Sequence, residues 1–162
     1  MRKARILLAG APTGCWSNAG DEAILEALAE GFEEAIPGVR LAVVSSNPAG
    51  FLESKGIAAI PYADLEAIEV TIATSDLLLL GGGSIFFDYW GAEPETLLTS
   101  RHEGLSLWAG LALLASARGV PFGAVGVGLG PLESADGRLL SSLALAPARL
   151  LSLRDAESVR LV

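Results

Sequence analysis

The chain has 162 residues, 51% of them hydrophobic, with 11 basic against 19 acidic side chains and a net charge of −8. That length supports one domain with a real core, and an acidic chain whose basic residues are scattered is a poor partner for nucleic acid or anionic membrane surfaces. The mean hydropathy of +0.49 is high, yet the longest charge-free helical run, Gly104 to Ala117, falls short of the roughly 20 apolar residues a bilayer span requires.

The opening "MRKARILLAG" places basic residues before an apolar run that breaks at Pro12 with no small-residue cleavage site, so no signal peptide is expected. The single cysteine, Cys15, allows neither an internal disulfide nor a paired-cysteine metal site, which fits a cytoplasmic protein without a metal. From there, short apolar runs alternate with helical patterns. Strand Arg5–Ala9 leads through a glycine-rich junction into a helix over Asp21–Ala35. On that helix Ile24, Leu25, Leu28, Phe32 and Ile36 share a face that Glu22, Glu26, Glu30, Glu33 and Glu34 avoid. Strand Arg40–Ser45, helix Ala49–Lys55, strand Ala58–Ile60 and helix Asp64–Ser75 follow. The buried run Asp76–Leu80 is a strand that ends on three glycines. Helix Ser100–Arg118, strand Phe122–Val127, helix Ala135–Leu145, strand Leu150–Leu153 and a helix from Asp155 complete the order.

Strict alternation implies parallel pairing through right-handed crossovers, and hence an α/β fold: an open, doubly wound parallel sheet of about six strands with helices on both faces. The last helix stops after about two turns without a cap. A single domain over residues 1–162, forming the first half of a longer protein, is therefore expected.

In such a sheet, ligands bind where strands end and helices begin. Four of these junctions carry unusual residues: "GAPTGCWSNAGDEAI", "GGGSIFFD", "GVGLGPLES" and "LRDAES". In the first, Asn18 can cap the helix, and Asp21 and Glu22 occupy the positive end of its dipole, which suits a neutral sugar or a cation better than a phosphate. Cys15 and Trp16 pack against or line the loop. In the second, Gly81, Gly82 and Gly83 are either a tight turn or a backbone nest for a phosphate or sugar, Ser84 adds a hydroxyl, and Asp88 is either a solvated carboxylate or an acceptor for sugar hydroxyls or a proton. In the third, Gly126, Gly128 and Gly130 leave the backbone bare before Pro131, either for close packing of neighbouring loops or for a ligand contact, with Gly128 and Gly130 as substrate-binding candidates. In the fourth, Asp155 is a cap and Arg154 is either exposed or an anion clamp. His102, near a helix start, reads as a surface or capping residue rather than a catalytic one. No phosphate-binding G-x-x-x-x-G-K-[ST] loop occurs. The first turn, G-A-P-T-G, is not G-x-G-x-x-G, and the second strand ends in "SSN" without a ribose-binding acid, so a dinucleotide site is poorly supported.

Taken together, "NAGDEAIL" (Asn18–Leu25), "DLLLLGGGSIFFD" (Asp76–Asp88), "GVGLGPL" (Gly126–Leu132) and "LSLRDAES" (Leu151–Ser158) resemble the polysaccharide pyruvyl transferase family, in order and spacing and over nearly the whole chain. The match is nearest to the bacterial cell-wall members that resemble the S-layer-anchoring enzyme. The resemblance implies two Rossmann-like halves facing a cleft, as in the GT-B glycosyltransferases, with this chain as the N-terminal half. It implies transfer of the enolpyruvyl unit of phosphoenolpyruvate, a co-substrate with no further cofactor, to two hydroxyls of a mannose-type sugar. The acceptor would be a polysaccharide or lipid-linked sugar. Carried over by motif, Asn18, Gly20, Asp21 and Glu22 line the cleft from the first loop, with Gly81, Gly82, Gly83, Ser84 and Asp88 opposite and Arg154 near the inter-domain seam; Asp21 and Asp88 are the catalytic candidates. The family's second half supplies donor-binding arginines and a histidine without equivalents here, so the isolated chain is expected to be inactive. An exposed half-cleft would favour a homodimer. Two other readings remain open: half of a nucleotide-sugar glycosyltransferase, and a non-catalytic carbohydrate-binding or assembly module.

Overall fold

The computed structural model describes residues 2–10, 19–45 and 55–162. Six strands form one all-parallel sheet: β1 (Arg5–Ala9), β2 (Arg40–Ser45), β3 (Ala58–Pro61), β4 (Leu77–Phe86), β5 (Phe122–Leu129) and β6 (Leu150–Leu153), in the order β3-β2-β1-β4-β5-β6. This is the doubly wound, Rossmann-like order, which reverses direction between β1 and β4. The helices are α1 (Ala19–Ala35), α2 (Leu65–Thr74), α3 (Gly104–Ala117), α4 (Ala135–Leu145) and the short α5 (Ala156–Val159). The expected helix Ala49–Lys55 falls almost entirely outside the described residues.

Period-two alternation along the central strands produces two cores. Leu7 and Ala9 of β1, with Leu78 and Leu80 of β4, join Ile68 and Ile72 of α2 and Leu105 and Leu111 of α3 in the larger one. Ile6, Leu8 and Leu79 face the other way, onto Leu25 of α1 with Leu28 and Phe32 at its edge. Ile36 of the expected apolar stripe is 40% exposed, because it lies beyond the end of α1. α3 is buried along nearly its whole length, which is why it is charge-free although it spans no bilayer; among the described residues no helix is long and apolar enough to cross a membrane.

Two boundaries differ from expectation. β4 does not stop at Leu80 but runs on through the glycines to Phe86, because β5 continues beside it: Gly81 pairs with Val125, Gly83 with Val127 and Ser84 with Gly128. α3 begins at Gly104 rather than Ser100, because residues 94–102 are taken up by a 3-10 turn (Pro94–Thr96) and the tight turns that follow it. At the opposite edge of the sheet, Asp76 accepts a hydrogen bond from the Arg5 amide (2.9 Å) and pairs with Arg2, tying the start of β4 to β1.

Candidate functional site

The switch point lies between the carboxyl ends of β1 and β4, where α1 leaves for one face and the chain after β4 for the other. The two strand ends approach closely. A Cβ on Gly10, whose φ is +111°, would stand 3.0 Å from the Gly81 carbonyl oxygen. The first turns of α1 lie over β4. A Cβ on Gly81 would come within 2.5 Å of Leu28 Cδ1, and one on Gly82 would overlap Ile24. Glycine at these two positions is therefore accounted for by helix–strand packing. Gly83 differs: its nearest neighbour in that direction is Oδ1 of Asp21, at 3.7 Å. The third glycine opens onto a carboxylate carried by the first turn of α1. Gly20 is exposed and Glu22 half-buried in the same turn; Asn18, Cys15 and Trp16 lie outside the described residues.

One residue along β4, the exposed Ser84 starts a second cluster. Its Oγ lies 3.0 Å from the position a Cβ on Gly128 would take, and Cζ and Nη2 of Arg154 lie 3.1 and 3.2 Å from the same point. Glycine at 128 thus makes room for a guanidinium beside a hydroxyl, above the ends of β4, β5 and β6. Arg154 gives its Nε–H to Asp155 Oδ2 (3.1 Å), which holds the fork in place and leaves Nη2 over Gly128. Gly130, at φ +97°, donates its N–H to the Phe86 carbonyl (2.7 Å) and abuts Leu161.

Asp155 caps α5. Its Oδ1 accepts from the amide and the hydroxyl of the buried Ser158 (2.8 and 2.7 Å), and Ser158 Oγ accepts in turn from the Leu129 amide (2.9 Å). The Ser158 bonds, and then the Arg154 bond, lower its pKa to about 2 from the ordinary 3.8. A carboxylate depressed on folding stabilises the fold above its unfolded pKa and loses that contribution as pH falls through the folded value. Asp155→Asn should accordingly lower the unfolding midpoint at neutral pH, and the gap from wild type should close between about pH 4 and pH 2; a gap independent of pH would refute this account.

Asp88 is built into the fold in a comparable way. Oδ1 accepts from the Glu133 amide (3.0 Å), and Oδ2 from the Ser134 amide and hydroxyl (2.7 and 2.6 Å), so the carboxylate fastens the end of β4 to the start of α4. The Ser134 hydroxyl, followed by the two amides, lowers its pKa. A carboxylate so supplied with donors is a weak base. Gly137, in the first turn of α4, leaves space for it; a methyl there would collide with Oδ2. Asp88→Ala should destabilise the domain by about 0.5–1.5 kcal/mol, the net worth of a hydrogen-bonded clamp whose donors water can still reach, measurable by urea unfolding; an unchanged midpoint would count against the clamp.

His102 is a correction to the sequence reading. It is 1% exposed rather than at the surface. Its Nε2 lies 2.6 Å from the Tyr62 carbonyl oxygen, the ring tilts against Tyr62, and Nδ1 is buried without a hydrogen-bond partner among the described residues, facing the space left by Gly110. The turns that shorten α3 fold this segment inward. The sequence reading assigned no role to Phe87, Tyr89 and Trp90. The density of aromatics in "FFDYW", two residues after the glycines, was the available signal, since Phe86 alone serves the core and the three aromatics that follow it are not needed there.

The junction residues, from the first turn of α1 to the start of α5, fall within a single family match: residues 18–162 fit the model for polysaccharide pyruvyl transferase. The chain belongs to the polysaccharide pyruvyl transferase family. No curated protein matches it. Membership of this transferase family implies a sugar acceptor and a small donor. Against that background, the switch point of the family member presents the Asp21 carboxylate over Gly83 and, one residue along β4, a hydroxyl and a guanidinium. Among the described residues no group of three or more histidine, cysteine or acidic side chains comes together to hold a metal ion.

Proposed function

We propose that this domain is the acceptor-side half of an enzyme that moves the enolpyruvyl unit of phosphoenolpyruvate onto two hydroxyls of a mannose-type sugar in a cell-wall polysaccharide or its lipid-linked precursor. The observation that carries the reading is the Asp21 carboxylate, 3.7 Å from where a Cβ on Gly83 would stand at the switch point, within the matched span of a pyruvyl transferase. In the net reaction the donor methylene gains a proton, its central carbon gains two sugar oxygens, and the carbon–oxygen bond to phosphate breaks. The two hydroxyl protons end on the new methyl group and on phosphate. Asp21 is the proposed acceptor of a sugar hydroxyl proton. Gly20 and Glu22 line its side of the cleft, and Asn18 precedes them in the same motif. Gly83 and Ser84 form the floor, Gly81 and Gly82 seat α1 beside it, Gly128 makes room for Arg154, Gly130 makes room for Leu161, and Asp88 holds the floor to α4.

Arg154 suits the donor's carboxylate or phosphate, but a single guanidinium does not balance that charge. The reading therefore includes a second Rossmann-like half across the cleft, in a GT-B-like arrangement, to supply further cations and the general acid. Phosphoenolpyruvate is the sole co-substrate, and its supply places the reaction in the cytoplasm. Arg154→Ala in the intact enzyme should raise KM for phosphoenolpyruvate about tenfold or more, the worth of a charge-assisted hydrogen bond, and leave the sugar KM unchanged; an unchanged donor KM would remove Arg154 from the site.

The direct test is calorimetric titration of the chain with a mannose-type disaccharide and, separately, with phosphoenolpyruvate. Sugar binding without donor binding supports the acceptor-side assignment. Absence of sugar binding, or a sugar affinity indifferent to Asp21→Asn, overturns it.

A further inference from the structure

Beyond Phe86 the chain builds a feature that the fold does not require. Trp90 is 88% exposed and Tyr89 68% exposed. Both are held against the half-buried Phe87, Tyr89 with ring centroids 5.1 Å apart and Trp90 edge-to-face at 5.2 Å and 78°. The backbone beneath them is fixed: the Asp88 carboxylate is clamped to α4, and the Gly91 amide closes a turn onto the Asp88 carbonyl (3.0 Å). An indole so exposed contributes little to the core, yet its ring rests edge-to-face on Phe87 over a tied backbone.

Trp90 and Phe87 form one wall of a cavity of about 410 Å³, within the range of small-molecule sites, about 300–1,000 Å³. Glu93, Arg101 and Glu103 also line it. Glu103 accepts a long bond from the Tyr62 hydroxyl (3.3 Å), whereas among the described residues no hydrogen bond or ion pair engages the side chains of Glu93 and Arg101. Ile85 joins this cavity to the switch point. It lines the cavity, and its Cδ1 and Cγ2 lie 3.2 and 3.9 Å from the Cβ positions of Gly10 and Gly83. Ile85 is therefore a neighbour of both the cavity and the glycine that opens onto Asp21.

An exposed, rigid aromatic face beside uncommitted carboxylate and guanidinium groups matches the amphipathic surface of a pyranose. Its C–H face covers the indole, and its hydroxyls reach acceptors and donors at the rim. The presence of both charge signs argues against a purely cationic or purely anionic ligand. We propose that the Trp90 cavity binds the sugar residue next to the one that reacts, so that the acceptor is read as at least a disaccharide. This rests on the assignment of the Asp21 crevice to a sugar acceptor.

The test titrates wild type, Trp90→Ala and Trp90→Phe with methyl α-mannoside and with a mannobiose, while thermal unfolding checks the fold. Wild type is expected to prefer the disaccharide. Trp90→Ala should erase about tenfold of that preference, the scale of one aromatic contact, without changing monosaccharide affinity, and Trp90→Phe should keep most of it. A mono-to-disaccharide ratio that is the same in Trp90→Ala as in wild type overturns the subsite, as does wild type that binds neither sugar. Self-association that is lost in Trp90→Ala, with sugar affinity unchanged, would assign the aromatic patch to a second copy and also overturn it. The transferase reading fails separately. If the Trp90-dependent preference persists but the intact enzyme releases no sugar-dependent phosphate from phosphoenolpyruvate, the subsite stands and the pyruvyl chemistry does not.

Discussion

Gly82→Ala should destabilise the domain by about 2–5 kcal/mol, a large part of the roughly 5–15 kcal/mol that a domain of this kind has in total. Two costs combine. Gly82 has φ +67°, a left-handed conformation that costs an L-residue about 1–2 kcal/mol. Its new methyl would also overlap Ile24 of α1, and overpacking of this kind costs about 1–3 kcal/mol. Gly82→Val should leave little folded protein. Pairing Gly82→Ala with Ile24→Ala should recover the steric part and not the conformational part, so a double-mutant cycle from urea midpoints at constant slope separates them. A midpoint for Gly82→Ala within experimental error of wild type would show that α1 does not seat on β4 as described. Gly83→Ala is the better probe of binding. Its φ is +83° but its nearest neighbour is Asp21 Oδ1 at 3.7 Å, so it incurs the conformational cost alone and places a methyl beside the carboxylate.

The largest effect on activity is expected from Asp21→Asn. On the proposed chemistry the amide cannot accept the sugar proton, and turnover in the intact enzyme should fall about 10²–10⁴-fold, the usual worth of a general base. Stability should change less, since the asparagine keeps the size of the side chain and an oxygen acceptor in the first turn of α1. Sugar-dependent phosphate release measures the first quantity and urea unfolding the second. A turnover within threefold of wild type would move the base elsewhere; a loss of turnover that tracks a loss of folded protein would give Asp21 a structural role instead.

Much of this was legible in the chain itself. Runs such as Ile6–Ala9 and Leu77–Leu80 are too short and too apolar for anything but buried strands, and the Asp21–Ala35 stripe has a 3.6-residue period, so local chemistry alone implied a parallel α/β sheet. The order of glycine, serine and acid at the strand ends carried the family. What local sequence does not encode is the use of each glycine, because that depends on which side chain arrives from elsewhere in the chain. Gly81 and Gly82 are bare because Leu28 and Ile24 descend on them, Gly128 because Arg154 crosses it, and Gly83 alone opens onto Asp21. Tertiary contact likewise decided that Asp88 is bound by three donors from Glu133 and Ser134, just before α4, and that His102 turns inward. Hydrophobic period and turn chemistry act over a few residues and fixed the elements; partners brought together over tens of residues are set by packing, and only the tertiary structure could assign them.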